Sequence, residues 1–208
     1  MIKKYFIFSR NKIMSSKIIN DYAIKNNFSE IKLNLGSGGR PINGWINIDN
    51  FDYEKNDSSR SGSVYDIKMD IRNLDVDDDT VDEILLSHVI EHFVRWETIK
   101  MLKHYFNKLK KSGKIIVEMP DLDRCIAWYI RQKQTPSIKT PIGIMNMGLT
   151  QFYGNQWDEL DYETHRYVWR IDEFTSVLKE IGFTIQSASH QAIFHQKERD
   201  MFVVGVKL

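Results

Sequence analysis

The sequence has almost no cysteine, no long apolar run and almost no net charge, and each shortage removes a class of protein. Cys125 stands alone among 208 residues, so neither an internal disulfide framework nor a multi-cysteine zinc site can be built, and a reducing compartment is expected. The 29 Lys and Arg offset 28 Asp and Glu to leave a formal charge of +1. No global field then draws in a polyanion, and nucleic acid is not an expected partner. The segment Met1 to Met14 mixes Lys3, Lys4, Arg10 and Lys12 with Tyr5, Phe6, Ile7 and Phe8. That apolar run is shorter than the about 7 to 15 residues of a secretory core or the about 20 of a membrane span, and no small-residue cleavage site follows. A cytoplasmic location without a membrane span is the expectation. No internal repeat or low-complexity tract is evident.

What is present is the composition of a folded chain, 42% hydrophobic and 27% charged, near the globular average. The length suits one domain, residues 1–208, with one buried core. Residues 1–28 carry Ile13, Ile18, Ile19, Tyr22 and Ile24 at loose helical spacing, which predicts a leading helical arm. Ile31 to Leu35 reads as a buried strand that stops at Gly36-Ser37-Gly38-Gly39, and Trp45 to Asp49 as a second strand. Residues 50–63 read as a polar surface loop, and a short third strand ends near Asp70. Val81 to Ser87 is a continuous apolar run of the kind found inside parallel sheets. Helical spacing follows from Ile90 to Leu109, closed by a basic turn and Gly113. Lys114 to Met119 is the next buried strand, with a helix over 122–133.

Residues 134–170 are rich in Gly, Pro, Met and aromatic side chains without periodicity, which predicts an inserted substrate or lid segment. Ile171 to Ile181 resumes helical spacing, and Phe183 to Ser187 with Met201 to Val206 can pair as an antiparallel ribbon. Strands alternating with helices imply a mostly parallel sheet, whose ligands bind beyond the carboxyl ends of the strands.

Chemistry is therefore sought at that edge. The glycines after Leu35 let the backbone turn sharply and approach a ligand without a Cβ in the way. Asp49 and Asp70 close the next two strands, where a carboxylate can accept the hydroxyls of a ribose. A nicotinamide dehydrogenase does not fit, because a Gly-x-Gly-x-x-Gly register would place its third glycine at Pro41.

On these residues the sequence resembles the class I S-adenosylmethionine-dependent methyltransferases, above all the type 11 branch and relatives associated with glycan and polysaccharide biosynthesis. The resemblance runs from about Ile31 to Leu122. It rests on Leu33-Asn34-Leu35-Gly36-Ser37-Gly38, Gly44-Trp45-Ile46-Asn47-Ile48-Asp49, Asp70-Ile71-Arg72, Val81-Asp82-Glu83-Ile84, Ser87-His88-Val89-Ile90-Glu91-His92-Phe93 and the Leu109 to Val117 segment. It implies a Rossmann-like α/β fold with a mostly parallel seven-stranded sheet and an antiparallel C-terminal strand, and S-adenosylmethionine as cofactor. It assigns Leu35, Gly36, Ser37 and Gly38 to the methionine part, Asp49 to the ribose, Asp70 and Ile71 to the adenine, and Ser87 and His88 to the neighbourhood of the sulfonium. One departure stands out: only a short loop joins the glycines to Trp45, where most members place a helix.

Methyl transfer is an in-line displacement in which alignment supplies much of the rate, and a hydroxyl acceptor must also lose its proton. His88, His92 and His165 are the candidate catalytic residues, with Asp121 a further candidate base. No metal is assigned. Around His165, the run from Gln151 to Trp157 and from Tyr162 to Tyr167 mixes aromatic faces with amides and charges, a composition suited to a sugar, sugar nucleotide or similar small acceptor. A homodimer remains an open assembly. Two other readings stand beside this one. His88-x-x-Glu91-His92 matches the inverted zinc-hydrolase signature if it lies in a helix, and the fold can also serve as a non-catalytic cofactor-binding module.

Overall fold

In a computed structural model of the chain, residues 17–50, 64–131, 137–140, 143–156, 161–195 and 197–208 are described. The expectations for residues 1–16, for the polar loop at 51–63, for the helix end and insertion at 132–136 and 141–142, and for residues 157–160, Trp157 among them, lie outside them. The first half runs α1 (Ile18–Lys25), β1 (Lys32–Leu35), β2 (Ile46–Asp49), β3 (Ile67–Lys68), β4 (Val81–Ser87), α2 (Arg95–Lys108) and β5 (Leu109–Pro120). The second half runs α3 (Leu122–Arg131), β6 (Ser137–Thr140), β7 (Gly143–Asn146), α4 (Thr150–Tyr153), α5 (Ile171–Ile181), β8 (Phe183–Ser189) and β9 (Asp200–Lys207).

Seven strands form one sheet in the order β3-β2-β1-β4-β5-β9-β8. The first five are parallel, and β9 runs antiparallel between β5 and β8. The C-terminal ribbon expected from the sequence is thus present, and it closes the sheet. Leu33, Leu35, Ile46, Ile48, Ile84 and Leu86 are all 0% exposed, as continuous apolar strands of a parallel sheet covered on both faces must be. Register brings Leu35 level with both Ile48 and Leu86, so β1, β2 and β4 end together at one edge. On α2, Thr98, Met101, Leu102 and Tyr105 face inward at three- and four-residue spacing. The buried Tyr105 hydroxyl donates to the Ile71 carbonyl at 2.8 Å, so its burial leaves no polar atom unpaired.

Three elements differ from expectation. The helix anticipated from Ile90 is split into a 3₁₀ turn at Ile90–His92 and α2 from Arg95. The Glu91 carbonyl, needed by a continuous helix at Arg95, instead accepts from the backbone of Arg166 at 2.7 Å and Tyr167 at 3.3 Å. Gly113 is not the helix stop: α2 ends at Lys108, Leu109 is already extended, and the positive φ of the following turn falls on Ser112. Gly113 is required for another reason, since a Cβ there would lie 2.9 Å from the Lys110 carbonyl oxygen. The insertion also has regular structure, an antiparallel pairing of β6 with β7 followed by short helical turns.

Candidate cofactor and active site

The glycine loop is built by the ends of β1 and β2. Gly36 has φ +66°, and a Cβ on it would lie 2.7 Å from Val89 Cγ2, so both conformation and space demand glycine. Gly36 and Ser37 donate to the Ile48 carbonyl at 2.8 and 3.2 Å, and Gly38 donates to Asp49 Oδ2 at 2.7 Å. Asp49 is thus a nearly buried anchor that folds the loop over the end of β2. Residues 36–45 contain no helix, and side-chain amides do the work of fixing them. Asn34 Nδ2 donates to Asn47 Oδ1 at 2.9 Å and to the Arg40 carbonyl at 3.2 Å, while Asn47 Oδ1 accepts from Ile42 N–H at 2.8 Å. These two asparagines were legible only as polar breaks in otherwise apolar strands. The Ser37 hydroxyl is buried without a hydrogen-bond partner among the described residues.

A cavity of about 1040 Å³ opens beyond these strand ends. Gly36, Ser37, Gly38, Asp49, Asp70, Ile71, Ser87 and His88 all line it, as do His92 and His165. Leu35 does not: its side chain is 0% exposed and belongs to the core. Asp121 is also outside the wall. It is 1% exposed, and its oxygens accept from Arg124 N–H at 3.0 Å and Ile171 N–H at 2.9 Å, capping the starts of α3 and α5. Asp70 is held by Arg72, whose Nε lies 2.9 Å from Oδ1, and that partner lowers the carboxyl pKa.

His88 follows β4 at φ +56°, a conformation uncommon for a residue with a Cβ. It aims the ring at two acids: Nδ1 lies 3.0 Å from Glu91 Oε1 and Nε2 lies 2.8 Å from Asp200 Oδ2. Burial alone would lower its pKa, but the bonds to Asp200 and Glu91 outweigh burial and raise it to about 9. Both ring nitrogens of His88 are thus committed to buried acids at the cavity wall. His195, whose ring centroid is 4.1 Å from that of His88, is pushed down to about 4 by burial and by the His88 cation. The inverted zinc signature is not formed as such, because His88 lies outside any helix.

His92 and His165 meet edge to face at a centroid separation of 5.0 Å. Their approach is set by the same backbone bonds that split the helix, together with His165 N–H to the Tyr153 carbonyl at 3.1 Å. A Cβ at Gly154, φ +76°, would collide with the Glu163 carbonyl, so that crossing also depends on glycine. Sequence reasoning missed four contributors. His195 and Arg199 line the cavity from the segment before β9, Asp200 opens β9 fully buried, and Glu118, also 0% exposed, accepts from Ile193 N–H at 2.6 Å and Phe194 N–H at 2.9 Å. An acid at the end of one apolar strand and another at the start of its antiparallel neighbour was the available signal.

A family model described as a methyltransferase domain matches residues 29–188. No curated protein matches the sequence. Among solved structures, an S-adenosylmethionine-dependent methyltransferase of Methanosarcina mazei aligns at TM-score 0.57 and 13% identity, covering 89% of this chain and 97% of its own. A Pyrococcus horikoshii protein aligns at TM-score 0.55 and 18% identity over 91% and 88% of the two chains. The 1,6-didemethyltoxoflavin-N1-methyltransferase of Burkholderia thailandensis, solved with 1,6-didemethyltoxoflavin and S-adenosylhomocysteine, aligns at 0.53 and 10% over 90% and 75%. With the sheet order, the glycine loop and the family match in agreement, the chain belongs to the methyltransferase-domain family, as a class I S-adenosylmethionine-dependent methyltransferase.

Proposed function

We propose that this methyltransferase acts on a small, hydroxyl-rich acceptor such as a sugar or sugar nucleotide, with the cofactor on the glycine-loop side of the cavity and the acceptor on the side of residues 150–166. S-adenosylmethionine supplies an electrophilic methyl group on sulfur. The chain's own residues accommodate it in a consistent way: a Cβ-free bend at Gly36, a carboxylate at Asp49 and an orphaned Ser37 hydroxyl stand together at one strand edge. In this reading Gly36, Ser37 and Gly38 take the methionine part, Asp49 the ribose, and Asp70 with Ile71 the adenine. Ser87 and His88 lie next to the sulfonium, and the His88 cluster fixes that wall rather than moving a proton.

The observation that carries the acceptor side is the continuity of one cavity from the glycine loop to Asn155, Tyr162, Glu163, His165 and Arg166. These groups offer hydrogen bonds and one flat face, which suits a polar ring better than an apolar one. Binding there holds an acceptor oxygen in line with the methyl carbon and against His92 and His165. The test is calorimetry with S-adenosylhomocysteine followed by methyl-transfer assays on panels of sugars, sugar nucleotides and apolar phenols. Turnover with polar, hydroxyl-bearing acceptors and its loss in His165→Ala, with S-adenosylhomocysteine affinity kept, is expected. Turnover confined to apolar acceptors would overturn the proposal.

A further inference from the structure

Glu91, His92 and His165 form a cluster apart from the groups proposed to hold the cofactor. Each offers one donor atom, and the three donors lie within 4.8 Å of one another. Glu91 is 1% exposed; its Oε1 pairs with His88 Nδ1 at 3.0 Å, and its Oε2 accepts no hydrogen bond among the described residues. Burying a carboxylate is costly unless its lone pairs are engaged, so the oxygen that His88 does not reach calls for a partner.

The two imidazoles are prepared in the same sense. His92 Nδ1 lies 3.2 Å from the Thr164 carbonyl oxygen and His165 Nδ1 lies 3.0 Å from the Gln151 carbonyl oxygen. A carbonyl can only accept, so Nδ1 carries the proton in both rings, and Nε2 is left as a lone-pair donor. An imidazole that gives its other N–H to a backbone carbonyl is the arrangement that orients metal-ligating histidines. The backbone bonds from Glu91 to Arg166 and Tyr167 hold the three residues in register, as a preorganised site requires.

The other nearby cluster, His88, His195 and Asp200, does not compete. His88 is engaged at both nitrogens and Asp200 also pairs with Arg199 Nε at 2.8 Å, so its charges are already matched.

We propose that Glu91, His92 and His165 hold a divalent transition-metal ion at the acceptor end of the cavity, and that the ion binds the acceptor hydroxyl that is methylated. This rests on the methyltransferase reading above and deepens it. Two nitrogens and one carboxylate select a borderline ion such as Zn²⁺, Fe²⁺ or Co²⁺ over Mg²⁺, which takes oxygen ligands. Three protein ligands leave positions open, and His92 and His165 both line the cavity, so a vicinal pair of acceptor oxygens can fill two of them. The ion favours loss of the hydroxyl proton to solvent. The oxygen lone pair then forms the O–CH₃ bond as the S–CH₃ bond breaks, its electrons returning to sulfur to give S-adenosylhomocysteine.

The test uses the full chain, stripped with EDTA and titrated with Zn²⁺ by calorimetry and with Co²⁺ by visible absorption, alongside an independent S-adenosylhomocysteine titration. One saturable site per chain, bound Co²⁺ d–d bands, and affinity losses on the order of 100-fold in Glu91→Gln and His165→Asn are expected, with the control His104→Gln unchanged. His165→Asn, at a partly exposed ring, keeps the comparison available if the buried Glu91→Gln fails to fold. S-adenosylhomocysteine binding without any saturable metal binding, or a Co²⁺ spectrum indifferent to His165→Asn, would overturn the metal site while leaving the methyltransferase intact. Metal binding without S-adenosylhomocysteine binding would sink the reading beneath it instead.

Discussion

Gly36→Ala is the sharpest perturbation of the loop. The residue has φ +66°, and an added Cβ would meet Val89 Cγ2 at 2.7 Å and Cγ1 at 3.3 Å. The left-handed conformation costs a residue with a Cβ about 1–2 kcal/mol, and forcing an extra methyl into a packed region costs about 1–3 kcal/mol. Val89 is 7% exposed, so it cannot swing freely into solvent to relieve the overlap. Together these give a loss of roughly 2–5 kcal/mol, or a fall in Tm of roughly 5–15 °C for a chain of this length. Scanning calorimetry reads that fall, and S-adenosylhomocysteine titration should lose at least about tenfold in affinity, since the proposed function seats the cofactor on this loop. Adding Val89→Ala removes the overlap but not the φ penalty, so the double variant should be less destabilised than the sum of the singles by about 1 kcal/mol. Strict additivity, or a Gly36→Ala protein with unaltered Tm and affinity, would show that neither the left-handed φ nor the Val89 contact constrains Gly36.

Four further outcomes are expected. Asp49→Asn keeps an acceptor for Gly38 N–H but loses the charge, and should weaken S-adenosylhomocysteine by about tenfold. Asp49→Ala also frees the loop and should weaken it by roughly 100-fold, both measured by calorimetry. Glu118→Ala removes the buried acceptor of Ile193 and Phe194 and should lower unfolding stability by roughly 3 kcal/mol in a urea titration. His104 Nε2 accepts from Leu74 N–H at 3.1 Å, and burial followed by the Lys108 charge lowers its pKa. The unfolded chain therefore binds the proton more readily, so this contribution is present above about pH 6.5 and is lost as pH falls through the lower folded value. The Tm difference between the native chain and His104→Gln should shrink from pH 7.5 to 5.5, and a difference that grows would contradict the assignment.

Much of the parallel sheet was legible because Ile31 to Leu35, Val81 to Ser87 and Lys114 to Met119 are short apolar runs bounded by turn residues, a local signal. The glycine loop and Asp49 were legible for the same reason: the chemistry needs a residue without a Cβ and an acid at consecutive strand ends. The break between His88 and α2 was not, because it depends on the Glu91 carbonyl bonding to Arg166 and Tyr167, which sequence spacing cannot show. The pairing of His92 with His165 and of His88 with Asp200 is likewise made by the tertiary fold. Asp121 looked catalytic from its place after a strand, yet the start of α5 claims one of its oxygens, a partner that is distant in sequence.

The most direct measurement is a crystal structure of the chain with S-adenosylhomocysteine. One ligand per chain is expected, with its amino-acid end over Gly36 and Gly38, its ribose against Asp49 and its sulfur turned toward His92 and His165. Ligand density elsewhere on the molecule, or a ribose out of reach of Asp49, would contradict this.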